Sequence, residues 1–303
     1  MGTRRRFRRM KRNIPLHVMM IPGIIIVLIY CYIPMIGNVI AFQDFTPLMG
    51  FAKAEWVGLD NFQYMMELPS FYQVVWNTVF ISIMKIVSGL VAPITVALML
   101  NEVRKSFIKR YVQTVIYMPH FFSWVILGGI VVDILSPSEG LINQIIKAVG
   151  FQPISFLSDN TWFPYVMVIT NEWKEVGFST IIYLAALTSI DPTQYEAAVI
   201  DGAGRWKQTW HVTLPGIRPT IILLACLSLG NVLNGGFDQV FNMYSPVVYE
   251  SGDILDTLVY RIGLVDNNYS VATAVGLVKS VVSLVLIGAG YGLAYRFAKY
   301  RIF

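Results

Sequence analysis

Charge is scarce in this sequence. Only 14% of its 303 residues are Asp, Glu, Lys or Arg, and 55% are hydrophobic. An average soluble domain carries about 25% charged residues, so a soluble enzyme of this length lacks the surface it needs. Cysteine is nearly missing too. Cys31 and Cys226 both fall in apolar stretches, which argues against a structural disulfide and offers no metal-ligand spacing. The three histidines, His17, His120 and His211, stand singly and give no basis for a metal or histidine-based active site. There is no phosphate loop of the form GxxxxGK(S/T), so hydrolysis of ATP is not expected of this chain. Flexible linkers, low-complexity tracts and an inverted internal repeat are also lacking, and the last of these weakens a secondary-transporter reading. One domain over 1–303 is the expected organisation.

What the chain has in quantity is apolar and aromatic residues. With 18 Phe, 16 Tyr and 7 Trp it is far too greasy to be disordered. A helix needs about 20 apolar residues to cross a hydrocarbon core, and six stretches qualify as candidates: 18–43, 71–101, 111–132, 162–190, 219–237 and 269–295. Lys85 and Lys279 interrupt the second and the sixth, and Glu172, Lys174 and Glu175 weaken the fourth. The sequence therefore predicts an all-α integral membrane protein with six spans.

The basic residues fix its orientation. Seven Lys/Arg precede the first span, and the loops after spans two and four and the final tail carry most of the rest, so that 17 of the 23 lie on one face. The opposite loops hold only Lys53, Lys147 and Arg261. Cytoplasmic loops are enriched in Lys and Arg, which places both termini in the cytoplasm, with 1–17 as a basic cytoplasmic tail. The net charge of +5 then reflects topology and anionic membrane lipid, not a nucleic-acid partner. The first apolar run is longer than the roughly 7–15 residues of a signal-peptide core. It ends in Tyr32-Ile33-Pro34 instead of a small-residue cleavage site, so it is read as a retained span.

Between spans four and five lies the most structured cytoplasmic segment, 190–218. Asp191-Pro192 reads as an N-cap with proline at the first helical position, and Gln194 would complete a capping box. A short helix should stop at Gly202, and a second helical piece should end at Pro215. Glu196 beside Ala197 and Ala198 gives a low ridge with one carboxylate, suited to a groove on a partner that offers an arginine. A self-contained loop that merely caps the membrane domain fits the residue types equally well.

The spacing of Glu196-Ala197-Ala198, Gly202 and Leu214-Pro215 resembles the EAA motif of bacterial ABC importer permeases, with Val212 where the family has isoleucine. Asp201 and Ala203 fit the same motif. Further along the chain, Tyr32-Ile33-Pro34-Met35, Gly37, Ala41-Phe42, 57–62 (VGLDNF) and Asn77-Thr78 are similar to the LplB-like polysaccharide branch of the binding-protein-dependent sugar permeases. That resemblance implies a type I ABC importer permease fold in the bacterial cytoplasmic membrane. It implies that Glu196, Ala197, Ala198, Asp201, Gly202, Leu214 and Pro215 belong to a coupling segment seated in an ATPase cleft. It also implies a second related permease, two ATPase subunits (identical or not) that hold the ATP and Mg, and an extracytoplasmic sugar-binding protein. No cofactor is expected on this chain. An ion-coupled transporter and an ABC permease for a non-sugar solute are the alternatives.

A substrate path is sought among the intramembrane polar groups. Each charge at mid-helix costs about 2.5–3.5 kcal/mol on insertion scales, so Glu172, Lys174 and Glu175 together cost on the order of 7–10 kcal/mol unless paired or wet. With Trp173 they form one candidate lining. Asn231, Asn234, Asp238 and Asn242 recur at helical spacing and form a second, next to a Gly235-Gly236 pair able to break the helix. Amides and a carboxylate on one face suit sugar hydroxyls, with Trp173, Phe237 or Tyr244 available for stacking. Interhelical hydrogen bonding without a ligand is the competing reading. Lys85, Lys174 and Lys279 fit either a structural or a path-lining role.

Overall fold

The computed structural model describes the backbone of residues 2–298 and the side chains of residues 15–292. The arginines and lysines before Pro15 and after Gly292, and hence most of the basic tail 1–17, lie outside the described side chains. Helix α1, Gly2–Val27, runs on through a π turn and a short 3₁₀ stretch to make an apolar rod, Pro15–Phe42. A two-residue hairpin follows, β1 (Gln43–Asp44) against β2 (Glu55–Trp56), and then α2, Asp60–Glu67.

The second span is α3, Phe71–Glu102, 32 residues that keep their helix through Pro93. The third differs from a single crossing. It is α4, Ser106–Tyr117, and α5, Trp124–Leu135, set at 105° to each other across a break at Phe122 and Ser123. Pro119 and a 3₁₀ turn, Met118–Phe121, end the first half, and an apolar count cannot register such a bend. After α6 (Leu141–Ala148) comes α7, Phe163–Thr188, whose 26 residues span roughly 39 Å at the usual helical rise. Its length would suffice to cross, but Glu172, Lys174 and Glu175 keep the expected fourth span out of the helices that are also apolar enough to do so; it packs along α3.

α8, Pro192–Ile200, is the short helix expected before Gly202. The next helix, α9, runs unbroken over Arg205–Leu229. Pro215 therefore does not end the second helical piece. A π turn at Thr209–Thr213 lengthens the hydrogen-bond step just before Leu214-Pro215, and the helix absorbs the missing proline N–H there. The fifth span closes early, at Leu229. Residues 230–236 are non-helical and lead to α10, Phe237–Met243, then α11, Leu255–Tyr260, and finally α12, Tyr269–Ala298. Among the described residues, four helices are long and apolar enough to cross a membrane, or five counting the bent pair.

The buried side chains fall into three groups. One is built on Phe71, Val74, Leu258 and Val275; a second on Ile81, Phe163, Met167 and Val240; a third on Ala97, Tyr183, Leu187 and Ile217. They follow α3 from one end to the other, so α3 is the spine. α7 packs along it, while α12 packs against α9, α11, α2 and the 36–42 stretch.

Candidate coupling surface and translocation path

α8 is stopped at both ends by side-chain and backbone chemistry. The Asp191 carboxylate accepts the Thr193 N–H at 3.0 Å, and that bond holds its pKa below the ordinary carboxylate value. The cap falls on N2, not on Gln194 at N3, and Gln194 returns no bond, so the expected capping box does not form. At the other end Ala203 N–H donates to the Ala198 carbonyl at 2.8 Å and Gly202 N–H to Val199 at 3.0 Å, the paired bonds of a Schellman close. Gly202 sits at φ +73° in open space, so the glycine is needed for its backbone angle and not for room. Replacing it by valine is expected to cost about 1–2 kcal/mol in the left-handed conformation. Amide exchange confined to 197–203 should quicken, while the spans keep their protection.

The hairpin is braced from behind. Tyr195 Oη lies 3.0 Å from Thr213 Oγ1, Gln208 Nε2 donates to the Ala203 carbonyl at 2.8 Å, and Arg205 pairs with Glu102 at the end of α3 at 2.8 Å. Its front is bare. Glu196, Ala197, Asp201 and Gly202 are exposed, Ala198 is half-buried, and Val199 and Ile200 are 61% and 86% exposed. Leu214 packs against the third core group at the root of α9, with Pro215 beside it. A largely apolar tip with the carboxylates of Glu196 and Asp201, braced from behind and exposed in front, is a surface shaped for a partner.

In the membrane region the three charges of α7 separate. Lys174 is buried. Its ammonium donates to the His120 carbonyl at 2.9 Å, pairs with Glu175 at 3.2 Å and lies 5.8 Å from the Trp124 ring. Glu175 reaches His120 Nδ1 at 2.8 Å, and the His120 ring stacks on Phe178 with centroids 4.2 Å apart. Lys174 and Glu175 thus satisfy the carbonyl and imidazole left open at the bend between α4 and α5. Trp173 is exposed on another face. Glu172 is half-buried, accepts from Ser88 Oγ at 3.1 Å on α3, and keeps Oε2 buried with no partner.

The predicted stripe of asparagines is not one helix face. Asn231 and Asn234 belong to the non-helical turn, whereas Asp238 and Asn242 belong to α10. The Gly235-Gly236 break is there, with Gly236 at φ +89°. Three glycines within 230–236 remove the helix preference that a polar count had assumed. Asn231, Asn234 and Asp238 are exposed, while Asn242 donates to the Asp238 carbonyl at 2.7 Å and packs its Cβ against Gly128. Gln239, one position off the stripe, is the buried member: its amide donates to Met167 O at 2.7 Å and Thr170 Oγ1 at 2.8 Å on α7. Lys85 binds Gly235 O at 2.7 Å and Gln239 Oε1 at 2.5 Å, and Lys279 pairs with Asp256. A polar residue alone in an apolar run was the available signal for Lys85 and Lys279. Nothing in the spacing marked Gln239.

Beside this turn a groove of about 600 Å³ is lined by Phe237, Tyr260, Tyr269, Asp256, Thr273 and Ser280, among others. Phe237, Phe241 and Tyr260 form an aromatic cluster with centroids 4.9–5.6 Å apart. Further out, the buried Asp253 carboxylate takes both guanidinium nitrogens of Arg261, which lies over the Tyr249 ring at 4.6 Å. Asn77 on α3 ties the same segment down through the Glu250 and Asp253 carbonyls.

Residues 89–299, which include both the coupling hairpin and the glycine turn, match the family described as the inner membrane component of binding-protein-dependent transport systems. The chain belongs to this family. Two relatives are similar over most of their length. Protein LplB of Bacillus subtilis is 45% identical over 295 residues, covering 97% of this chain and 92% of that protein. The polygalacturonan/rhamnogalacturonan transport system permease YteP of the same organism is 42% identical over 288 residues, covering 95% and 90%. Among solved structures, a bacterial ABC transporter involved in import of the acidic polysaccharide alginate matches with TM-score 0.89 and 39% identity, over 97% of this chain and 99% of that one. The permease is thus an inner-membrane subunit of an ABC transport system with the LplB-like fold that its motifs resemble.

Proposed function

We propose that the permease imports oligosaccharides or polysaccharide fragments by alternating access, driven by ATPase subunits that grip α8 from the cytoplasm. The exposed, doubly capped helix carrying Glu196 is the observation that carries this reading. In this account the whole of 1–303 is one transmembrane domain, both termini are cytoplasmic, and 190–218 is the coupling loop. A second permease completes the passage, two ATPase subunits bind the ATP and Mg, and an extracytoplasmic binding protein delivers the sugar. The permease itself hydrolyses nothing and holds no cofactor. Glu196, Ala197, Ala198, Asp201, Gly202, Leu214 and Pro215 transmit the movement of the ATPases to α9.

The sugar assignment is supported by the relatives, which include a polygalacturonan/rhamnogalacturonan permease and an alginate importer crystallised with pentasaccharide-bound periplasmic protein. Asn231, Asn234 and Asp238 present amides and a carboxylate beside an aromatic cluster, the combination that satisfies sugar hydroxyls and ring faces together. Glu172 and Trp173 flank the same region in this reading. Lys174, Glu175 and Asn242 serve it as bracing.

The experiment is purification in mild detergent followed by uptake in proteoliposomes. A second permease and an ATPase are expected to co-purify, and labelled oligogalacturonide should enter only with ATP and the binding protein. Uptake that needs no ATP and collapses with a proton uncoupler would overturn the reading in favour of ion coupling. ATP-driven uptake of a non-sugar solute alone would overturn the substrate.

A further inference from the structure

Lys85 stands apart from the other intramembrane charges. Lys174 and Lys279 each face a carboxylate, but Lys85 makes no ion pair among the described residues. It spends its ammonium on the Gly235 carbonyl and on Gln239, at the break between α9 and α10. That carbonyl belongs to a turn where the helix ladder has stopped, so it has no helical donor. Gln239 in turn is bonded to Met167 and Thr170 of α7. One ammonium therefore ties three elements together at the turn that exposes Asn231 and Asn234.

A second acceptor is close by. Ser88 and Gly89 lie three and four residues beyond Lys85, on the same face of α3, and Glu172 is seated against both. Its Oε1 accepts from Ser88 and would lie 3.3 Å from a Cβ at Gly89. Its Oε2 is buried without a hydrogen bond. Side chains at this spacing are about 5–6 Å apart, within the swing of a four-carbon lysine stem. An unpartnered buried carboxylate oxygen is costly, and so is an ammonium that loses its carbonyl.

We propose that Lys85 is a positioning residue of the translocation path, a transferable clamp. In the conformation described here it holds the 230–236 turn against α3. When that turn moves away during transport, the ammonium passes to Glu172, so neither charge is left bare in the membrane. The proposal rests on the permease reading but not on the identity of the solute.

The test uses the assembled transporter, with Cys31 and Cys226 replaced by serine and spin labels at Val91→Cys and Val232→Cys, the second being a residue of the turn with no part in the proposed sugar contacts. With Lys85 intact, one narrow distance is expected without nucleotide and a second with a trapped ATP analogue. Lys85→Met should broaden the nucleotide-free distribution across both distances, and Lys85→Arg should restore it. Glu172→Gln should leave the nucleotide-free distance intact and deplete the trapped one. In uptake, each of Lys85→Met and Glu172→Gln should lose at least tenfold, and the double variant should be no worse than the poorer single. Unchanged distances in Lys85→Met would overturn the clamp, as would losses that multiply in the double variant. Should Lys85→Met not assemble, failure of Lys85→Arg to keep the narrow distance overturns it equally. A parent transporter whose label distance responds to nucleotide while it takes up no sugar sinks the substrate reading and leaves the clamp standing.

Discussion

Glu196→Arg is expected to abolish uptake while leaving the amount of permease in the membrane unchanged. Among the described residues the Glu196 side chain makes no hydrogen bond, and the caps of α8 are supplied by Asp191, Gly202 and Ala203. The helix should therefore persist with the charge reversed. What changes is the partner's side, where an arginine-bearing groove would meet a second cation. Breaking a desolvated, hydrogen-bonded charge pair costs about 2–5 kcal/mol, or roughly 30- to 4,000-fold in docking affinity. Co-purification of the ATPase with the Glu196→Arg permease measures it directly. Glu196→Gln, which keeps the shape and one acceptor, should lose less. Full retention of ATPase and uptake by the arginine variant would remove the basis for treating α8 as the mechanical link.

The second large effect is expected at Gly177. Here α7 crosses α4 with backbone against backbone, and a Cβ at this position would fall on the Ile116 carbonyl, with Tyr117 Cα 3.0 Å away. Small residues allow such approaches between membrane helices. Since the obstruction is main chain, no side-chain rotation relieves it. Gly177→Val is expected to destabilise the subunit by about 3 kcal/mol or more, the upper range of overpacking. It should appear as a lowered unfolding temperature in detergent, or as loss of the assembled complex on size exclusion. Gly129→Ala is the matched control, since nothing lies within 4 Å of its Cβ position. Equal stability of the two variants would show that α4 and α7 do not meet this closely.

Much of this architecture could be read from residue order, for identifiable reasons. The caps of α8 are local: a short-range acceptor at Asp191 and a left-handed position at Gly202 suffice. The span count rests on hydropathy, which sees only apolar length. It therefore located 111–132 but not the bend within it, because Pro119 and the weak stretch at Phe122-Ser123 leave the apolar total unchanged. It likewise extended the fifth span to residue 237, although the glycines at 230, 235 and 236 end the helix sooner. Pro215 was expected to end a helix, but a π turn at Thr209–Thr213 lets the helix run through it. The charges at 172–175 were rightly expected to need compensation. Which of them would pair depended on the fold of residues some fifty positions earlier, at His120. Gln239 is plain in the sequence as a polar residue at the end of the expected fifth span, but its partners, about 70 residues away on α7, are not.

The rod Pro15–Phe42 is almost entirely exposed within the chain, and its packing against α12 is made through its C-terminal end, Ile36–Phe42. A copy synthesised without companions would thus carry a free-standing greasy mast, anchored at one tip and bathed by lipid along its flank. Lipid tails are as apolar as such a flank, so no hydrophobic force drives a neighbouring helix onto it and any docking there must come from close fit.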